Sequence, residues 1–197
     1  MPTSRVYVVD DDEDLAQSLA GLLLRAGYAA LSFTDPAVLK TVCSKTPPHC
    51  ILTDVMMGPY NGFNVADDIR SVDSTIAFIF MTAWPRTAAA VDAVRRYGGI
   101  DYLEKPVDEE RLIDGVQQAV AWSRERRIAL KRLERMTPRE WDVFRLLCRG
   151  LSNKMIAATL DIKPKTVEDH RSSIMLKTKT GSIAALIELE RALEQRG

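Results

Sequence analysis

The chain has 197 residues, room for one ordinary domain and a small second one. Its formal net charge is zero, yet residues 1–120 hold 10 Lys+Arg against 17 Asp+Glu, while residues 121–197 hold 17 against 10. That split suggests an acidic module for a metal or phosphate, joined to one that seeks a polyanion. Three cysteines without metal-ligand spacing fit packed thiols in a reducing compartment, no apolar run nears the ~18–20 residues of a membrane span, and no signal-peptide pattern opens the chain, so a soluble cytoplasmic protein with no membrane partner is expected.

Strand and helix signals alternate through the first 120 residues. Val6–Val9 reads as a buried strand ending on Asp10-Asp11-Asp12. A helix is expected from about Asp14 to Arg25, because Leu15, Leu19, Leu22, Leu23 and Ala26 keep helical spacing and Gly27 supplies the stop. Tyr28–Phe33 is a second strand, and Asp35-Pro36, an N-cap with proline at the first helical position, opens a helix to about Ser44. Cys50–Thr53 is a third strand ending on Asp54, followed by a turn through Gly58, Pro59, Asn61 and Gly62 and a helix over Gly62–Ser71. Ala77–Met81 is an apolar fourth strand ending at Thr82. A helix near Thr87–Arg96, a short strand Asp101–Glu104 and a helix from Glu109 follow. Five β/α units without hairpin signals predict an α/β fold, a (βα)5 doubly wound parallel sheet covered on both faces.

Ligand sites of such sheets lie beyond the C-terminal strand ends, and here those ends carry Asp10-Asp11, Asp54, Thr82 and Lys105. If the first and third strands are neighbours, their carboxylates converge. Such a cluster repels itself unless a hard cation holds it, and oxygen ligands with room for water suit Mg²⁺. A nucleophilic oxygen, a bridging cation and donors for the equatorial oxygens are what phosphoryl transfer needs. Asp54 is therefore read as a phosphoryl acceptor. Singly, Thr82 is only a strand-end hydroxyl and Lys105 a surface charge; the spaced set carries the reading.

Over about residues 5–122 the sequence resembles the receiver domain of two-component response regulators. The resemblance implies Asp54 as phosphoacceptor, with Mg²⁺ (or Mn²⁺) on Asp11, Asp54 and the Met56 carbonyl, and Asp10 acting directly or through water. It also implies Thr82 and Lys105 on the phosphoryl oxygens and Tyr102 as the aromatic that changes position on activation. Two departures stand out: Met57-Gly58-Pro59 places the proline one residue late, and the connection around Arg95–Gly99 is one residue longer. Met56 and Trp84 lie two residues beyond Asp54 and Thr82, and either shield an acyl phosphate from water or simply pack.

From Glu109 the pattern Leu112, Val116, Ala119, Val120 runs without Gly or Pro break into charged sequence, so a helical linker is expected to about Arg135. Trp122, Ala129, Leu133 and Met136 sketch a heptad seam, but Arg126 fills its missing position, which favours a solvated helix. Thr137-Pro138-Arg139-Glu140 is a capping box that opens a helix burying Val143, Phe144, Leu146 and Leu147 and stopping at Gly150. Ser152 caps Asn153–Leu160, a tight Asp161-Ile162-Lys163 connection leads to a helix from Pro164 to about Leu176, and Ser182 caps a fourth. Two short helices joined by a tight turn beside a basic surface read as helix-turn-helix.

Gly150-Leu151-Ser152-Asn153-Lys154 and Lys165-Thr166-Val167-Glu168-Asp169-His170-Arg171 resemble the four-helix LuxR-type DNA-binding domain, over about residues 136–195. The whole chain then resembles a response regulator of the FixJ/NarL class: a receiver over 1–122, a helical linker over 123–136, and an all-α helix-turn-helix domain over 137–197. The resemblance places the third helix of that domain in the major groove, with Val167 and Ile174 inward. Lys154, Lys165, Thr166, Arg171 and Lys177 are candidates for phosphate contacts, and Glu168, Asp169 and Ser172 occupy positions that reach bases. Lys163 in place of a capping serine and Thr178 in place of a core leucine are expected to loosen the ends of that helix.

The implied protein is a transcription regulator, an activator by expectation. A sensor histidine kinase phosphorylates it on Asp54; it dimerises when phosphorylated and binds an inverted repeat in double-stranded promoter DNA, with RNA polymerase as a further partner. Its only enzymatic chemistry is acceptance and hydrolysis of its own phosphoryl group. Two other readings stay open on the residues alone: a Mg²⁺-dependent phosphatase or phosphotransferase with an aspartate nucleophile, and a DNA-binding protein whose receiver is only a scaffold.

Overall fold

The computed structural model describes residues 3–84 and 99–194. The expected helix Thr87–Arg96 and most of the longer connection around Arg95–Gly99 lie outside them. The described chain divides into two compact units, with the division falling between Arg124 and Glu125.

The first unit is a parallel sheet of β1 (Arg5–Val9), β2 (Ala29–Phe33), β3 (Cys50–Asp54), β6 (Ala77–Thr82) and β7 (Gly99–Glu104), in the order β2-β1-β3-β6-β7. Alternation along the strands assigns each face its helices. Val6, Val8, Leu52 and Ile79 pack with α1 (Glu13–Arg25) and the first part of α4 (Glu109–Leu133). Tyr7, Val9, Ile51, Phe78 and Phe80 pack with α2 (Pro36–Lys45) and α3 (Gly62–Val72). Asp12, Asp35 and Asn61 each cap a helix through a side-chain oxygen, accepting from Leu15, Ala37 and Phe63 backbone N–H groups. Two of the three thiols sit in this unit. Cys50 is fully buried in β3, and Cys43 is buried on the inner side of α2. Burial raises both thiol pKa values, that of Cys43 to about 12.

The turn after Asp54 is more ordered than the sequence suggests. Met56–Met57 (β4) and Tyr60–Asn61 (β5) form a two-stranded antiparallel ribbon around Gly58, whose φ of 54° suits glycine. The ribbon returns the chain so that Gly62, the first residue of α3, lies against the end of β3. A Cβ there would stand 2.1 Å from the Asp54 carbonyl oxygen and 2.8 Å from Thr53 Oγ1. Gly62→Ala is expected to lower receiver stability by about 2–3 kcal/mol, because backbone must move to admit the methyl group; denaturant unfolding measures it.

The second unit contains the end of α4, then α5 (Pro138–Cys148), α6 (Asn153–Leu160), α7 (Pro164–Thr178) and α8 (Ile183–Glu194). The expectation of a solvated helix beyond the receiver is corrected here. Ala129, Leu133 and Met136 are buried in the same cluster as Val143, Phe144, Leu147, Ile156, Val167, Ile174 and Leu186, and Arg126 is also buried. Leu146 is only partly buried. Thr178, in place of a core leucine, is fully buried within the last turn of α7, and its hydroxyl is satisfied, donating to Ile174 O at 2.7 Å and lying 2.8 Å from Thr180 Oγ1. Lys163, as expected, provides no side-chain cap.

Candidate functional site

Strand register builds the acidic site. Val9 pairs with Thr53 and Asp54 with Met81, so the residues just beyond β1 and at the end of β3 emerge side by side. Asp10 is fully buried and Asp54 nearly so, while Asp11 is exposed. Carboxylate oxygens of Asp10, Asp11 and Asp54 lie within 4.8 Å of one another. Lys105, just after β7, sends its ammonium between two of them, 2.6 Å from Asp10 Oδ2 and 2.7 Å from Asp54 Oδ2. Its backbone N–H donates to Thr82 O at 2.7 Å, which ties the lysine to the end of β6.

The electrostatics follow from burial and pairing. Burial raises the Asp10 pKa and outweighs the hydrogen bonds from Lys105 and the Asp12 N–H. Burial also works against the Lys105 ammonium, but its bonds to Asp10 and Asp54 prevail and raise its pKa. Among the described residues one ammonium is set against three carboxylates, which leaves the cluster short of positive charge, and every ligand atom offered is oxygen. The residues therefore fit a hard divalent cation. Asp54 Oδ1 accepts from the Met56 N–H at 3.2 Å, which brings the chain of β4 to this carboxylate.

Thr82 is buried, and its Oγ1 accepts the Trp84 N–H at 3.1 Å. Tyr102 is half-buried against the apolar layer that contains Phe80. Met56 and Trp84 are 56% and 75% exposed, so neither is simple core packing.

In the second unit the tight turn is made by Asp161, in the left-handed region at φ 51°. Lys154, Lys165, Glu168, Asp169 and Ser172 are exposed, while Thr166 and Arg171 are half-buried. Arg171 Nη1 donates to Asn153 Oδ1 at 2.5 Å and joins α7 to the start of α6. Lys177, expected at a phosphate, is held elsewhere. Its ammonium lies 2.8 and 2.7 Å from the two oxygens of buried Glu140, which needs a counter-charge. Glu140 also accepts from Ser173 Oγ at 2.5 Å and from the Thr137 N–H at 2.6 Å. Burial opposes its ionisation, but the bonds from Lys177, Ser173 and Thr137 hold its pKa at about 2. The sequence signals only the capping-box half of this cluster; Ser173 and Lys177, four residues apart on α7, were the clue to the rest.

Comparison with known proteins agrees with both halves. Residues 6–117 match the response regulator receiver domain, and residues 134–189 match the LuxR family of bacterial regulatory proteins. The transcriptional regulatory protein FixJ of Azorhizobium caulinodans is 34% identical over 96% of this chain and 93% of its own. The tetrathionate response regulatory protein TtrR of Salmonella typhimurium is 31% identical over 92% and 89%. The crystal structure of full-length FixJ from B. japonicum superposes with a TM-score of 0.55 at 29% identity, covering 100% of both chains.

The chain thus belongs to the response-regulator receiver family, with a C-terminal domain of the LuxR family. More particularly, it is a FixJ-like two-component response regulator, which regulates transcription through DNA binding. Among the described residues no helix is long and apolar enough to cross a membrane.

Proposed function

We propose that Asp54 accepts a phosphoryl group from the phosphohistidine of a sensor kinase and that this acceptance controls DNA binding. A carboxylate oxygen of Asp54 bonds to phosphorus as the P–N bond breaks, and the imidazole departs with a proton from solvent. Asp10, Asp11, Asp54 and the Met56 carbonyl would hold Mg²⁺ (or Mn²⁺), which when bound supplies positive charge for the phosphoryl oxygens. Lys105 exchanges its bond to Asp54 for one to the new phosphate, and the Thr82 hydroxyl donates to another phosphoryl oxygen. Movement of Thr82 toward the phosphate leaves room for Tyr102 to turn inward, a two-state change that the phosphate biases. Exposed Met56 and Trp84 flank the acceptor and slow hydrolysis, the only enzymatic step assigned to the protein.

In this reading the phosphorylated protein dimerises and binds an inverted repeat in promoter DNA. Lys154, Lys165, Thr166 and Arg171 contact phosphates, and Glu168, Asp169 and Ser172 face bases. It acts in the cytoplasm as an activator that engages RNA polymerase. The observation that carries the reading is the Lys105 ammonium shared between Asp10 and Asp54 at the ends of neighbouring strands. Phosphoryl incorporation, dimer fraction and promoter affinity are expected to rise together with a small phosphodonor and Mg²⁺, and none of them in Asp54→Asn. Equal DNA binding in all conditions would make the receiver a scaffold; turnover of free phosphate esters would make it a phosphatase.

A further inference from the structure

We propose that Asp169 selects cytosine in the DNA site, with Lys165 as the residue that positions it. The inference rests on α7 as the helix that enters the major groove and goes on to name the chemistry it reads there.

Rotation of α7 about its own axis is fixed by what it buries. Val167, Ile174 and Thr178 are fully buried. At about 100° per residue they lie about 140–180° around the helix from Asp169. Asp169 therefore stands on the exposed face, with Lys165 about 40° and Ser172 about 60° to one side, while Ser173, about 40° to the other, turns to buried Glu140. Glu168 lies about 100° to the side. The Asp169 side chain is 68% exposed.

Hydrogen bonding narrows the candidates further. The Ser172 hydroxyl donates to the Glu168 carbonyl at 3.0 Å and is committed within the helix. Lys165 Nζ lies 3.4 Å from Glu168 Oε2 and 3.5 Å from Asp169 Oδ1. One ammonium thus straddles two carboxylates, leaving Asp169 Oδ2 to a donor from outside.

A carboxylate on the exposed face of a groove-entering helix is repelled by phosphate and gains most where a base edge offers a donor. In the major groove guanine presents two acceptors and thymine an acceptor and a methyl group. Adenine places an acceptor beside its amino group, while cytosine presents its N4 amino group alone. A carboxylate, which only accepts, fits cytosine best. Lys165 offsets part of the carboxylate charge and holds Asp169 toward the groove floor rather than the backbone.

The test uses the full-length protein, treated with phosphodonor and Mg²⁺, selecting from a pool of randomised duplexes. Wild type is expected to favour cytosine at one position per half-site by about 10- to 100-fold. Asp169→Asn keeps the shape and exchanges an acceptor oxygen for an amide donor, so that preference moves to adenine while the other positions stay unchanged. Lys165→Met blurs the cytosine preference and Lys165→Arg restores it. An Asn variant with the same base preference at every position, differing only in uniform affinity, overturns the proposal. If neither protein prefers any duplex over random sequence, the reading of α7 as the recognition helix falls, and the proposal with it.

Discussion

Glu140→Ala is expected to cost the C-terminal domain about 3 kcal/mol, the lower end of the range for breaking a buried ion pair. Glu140 is 3% exposed and its carboxylate gathers Lys177, Ser173 and the Thr137 N–H, so its loss strands three donors and removes the reciprocal half of the α5 capping box. The lower end applies because the Lys177 side chain, 30% exposed, can regain some water. Acid should reproduce the effect. The folded pKa of about 2 lies below the ordinary 4.5, so the stabilisation is complete above about pH 4.5 and is lost as pH falls toward 2. A depression of that size corresponds to about 3 kcal/mol, in line with the truncation. Urea unfolding followed by Trp141, which stacks edge-on against Phe144 at 5.4 Å, reads both. The slope between pH 4.5 and 2 should flatten in Glu140→Gln; a slope that survives there assigns the acid loss to other carboxylates.

Lys105→Met is expected to make receiver stability depend on divalent cation. Without the ammonium, Asp10, Asp11 and Asp54 face one another with no counter-charge among the described residues. In metal-free buffer the variant should lose about 3 kcal/mol. The ammonium also competes with any cation for the same oxygens, and at 4 Å two unit charges interact by about 4 kcal/mol even at an effective dielectric constant of 20. Mg²⁺ should therefore bind the variant at least about tenfold more tightly and restore most of its melting temperature by linkage. The phosphodonor-dependent rise in DNA affinity should be lost, since no ammonium remains for the phosphate. Melting temperatures that fall equally with and without Mg²⁺ would mean that Lys105 acts through packing alone.

The features legible in the sequence are those whose causes are local. Apolar runs ending on Asp10, Asp54, Thr82 and Lys105 announce a parallel sheet and its chemical edge, and Asp35-Pro36 and Thr137-Pro138 announce helix starts. What stayed hidden depends on distant partners or on elements too short to show a period. The β4–β5 ribbon has two residues per strand. Arg126 in the middle of a seam argues for solvent by composition, yet the helix around it is held by Phe144 and Leu186 from later in the chain. Lys177 reads as a DNA contact until Glu140, 37 residues earlier, takes its charge. Thr178 reads as a defect until its hydroxyl finds Ile174 O.

The thiols of Cys43 and Cys50 bear on chemical selectivity. A thiolate is a far better nucleophile than a carboxylate, so any electrophile that reaches the receiver has two sulfur competitors to Asp54. Both are kept as neutral thiols beneath α2 and within β3, with their ionisation moved far above neutral pH. By hiding its sulfur the fold leaves the Asp54 carboxylate as the nucleophile within reach at the sheet edge, and under the proposed function a weak nucleophile can be the one that carries the signal.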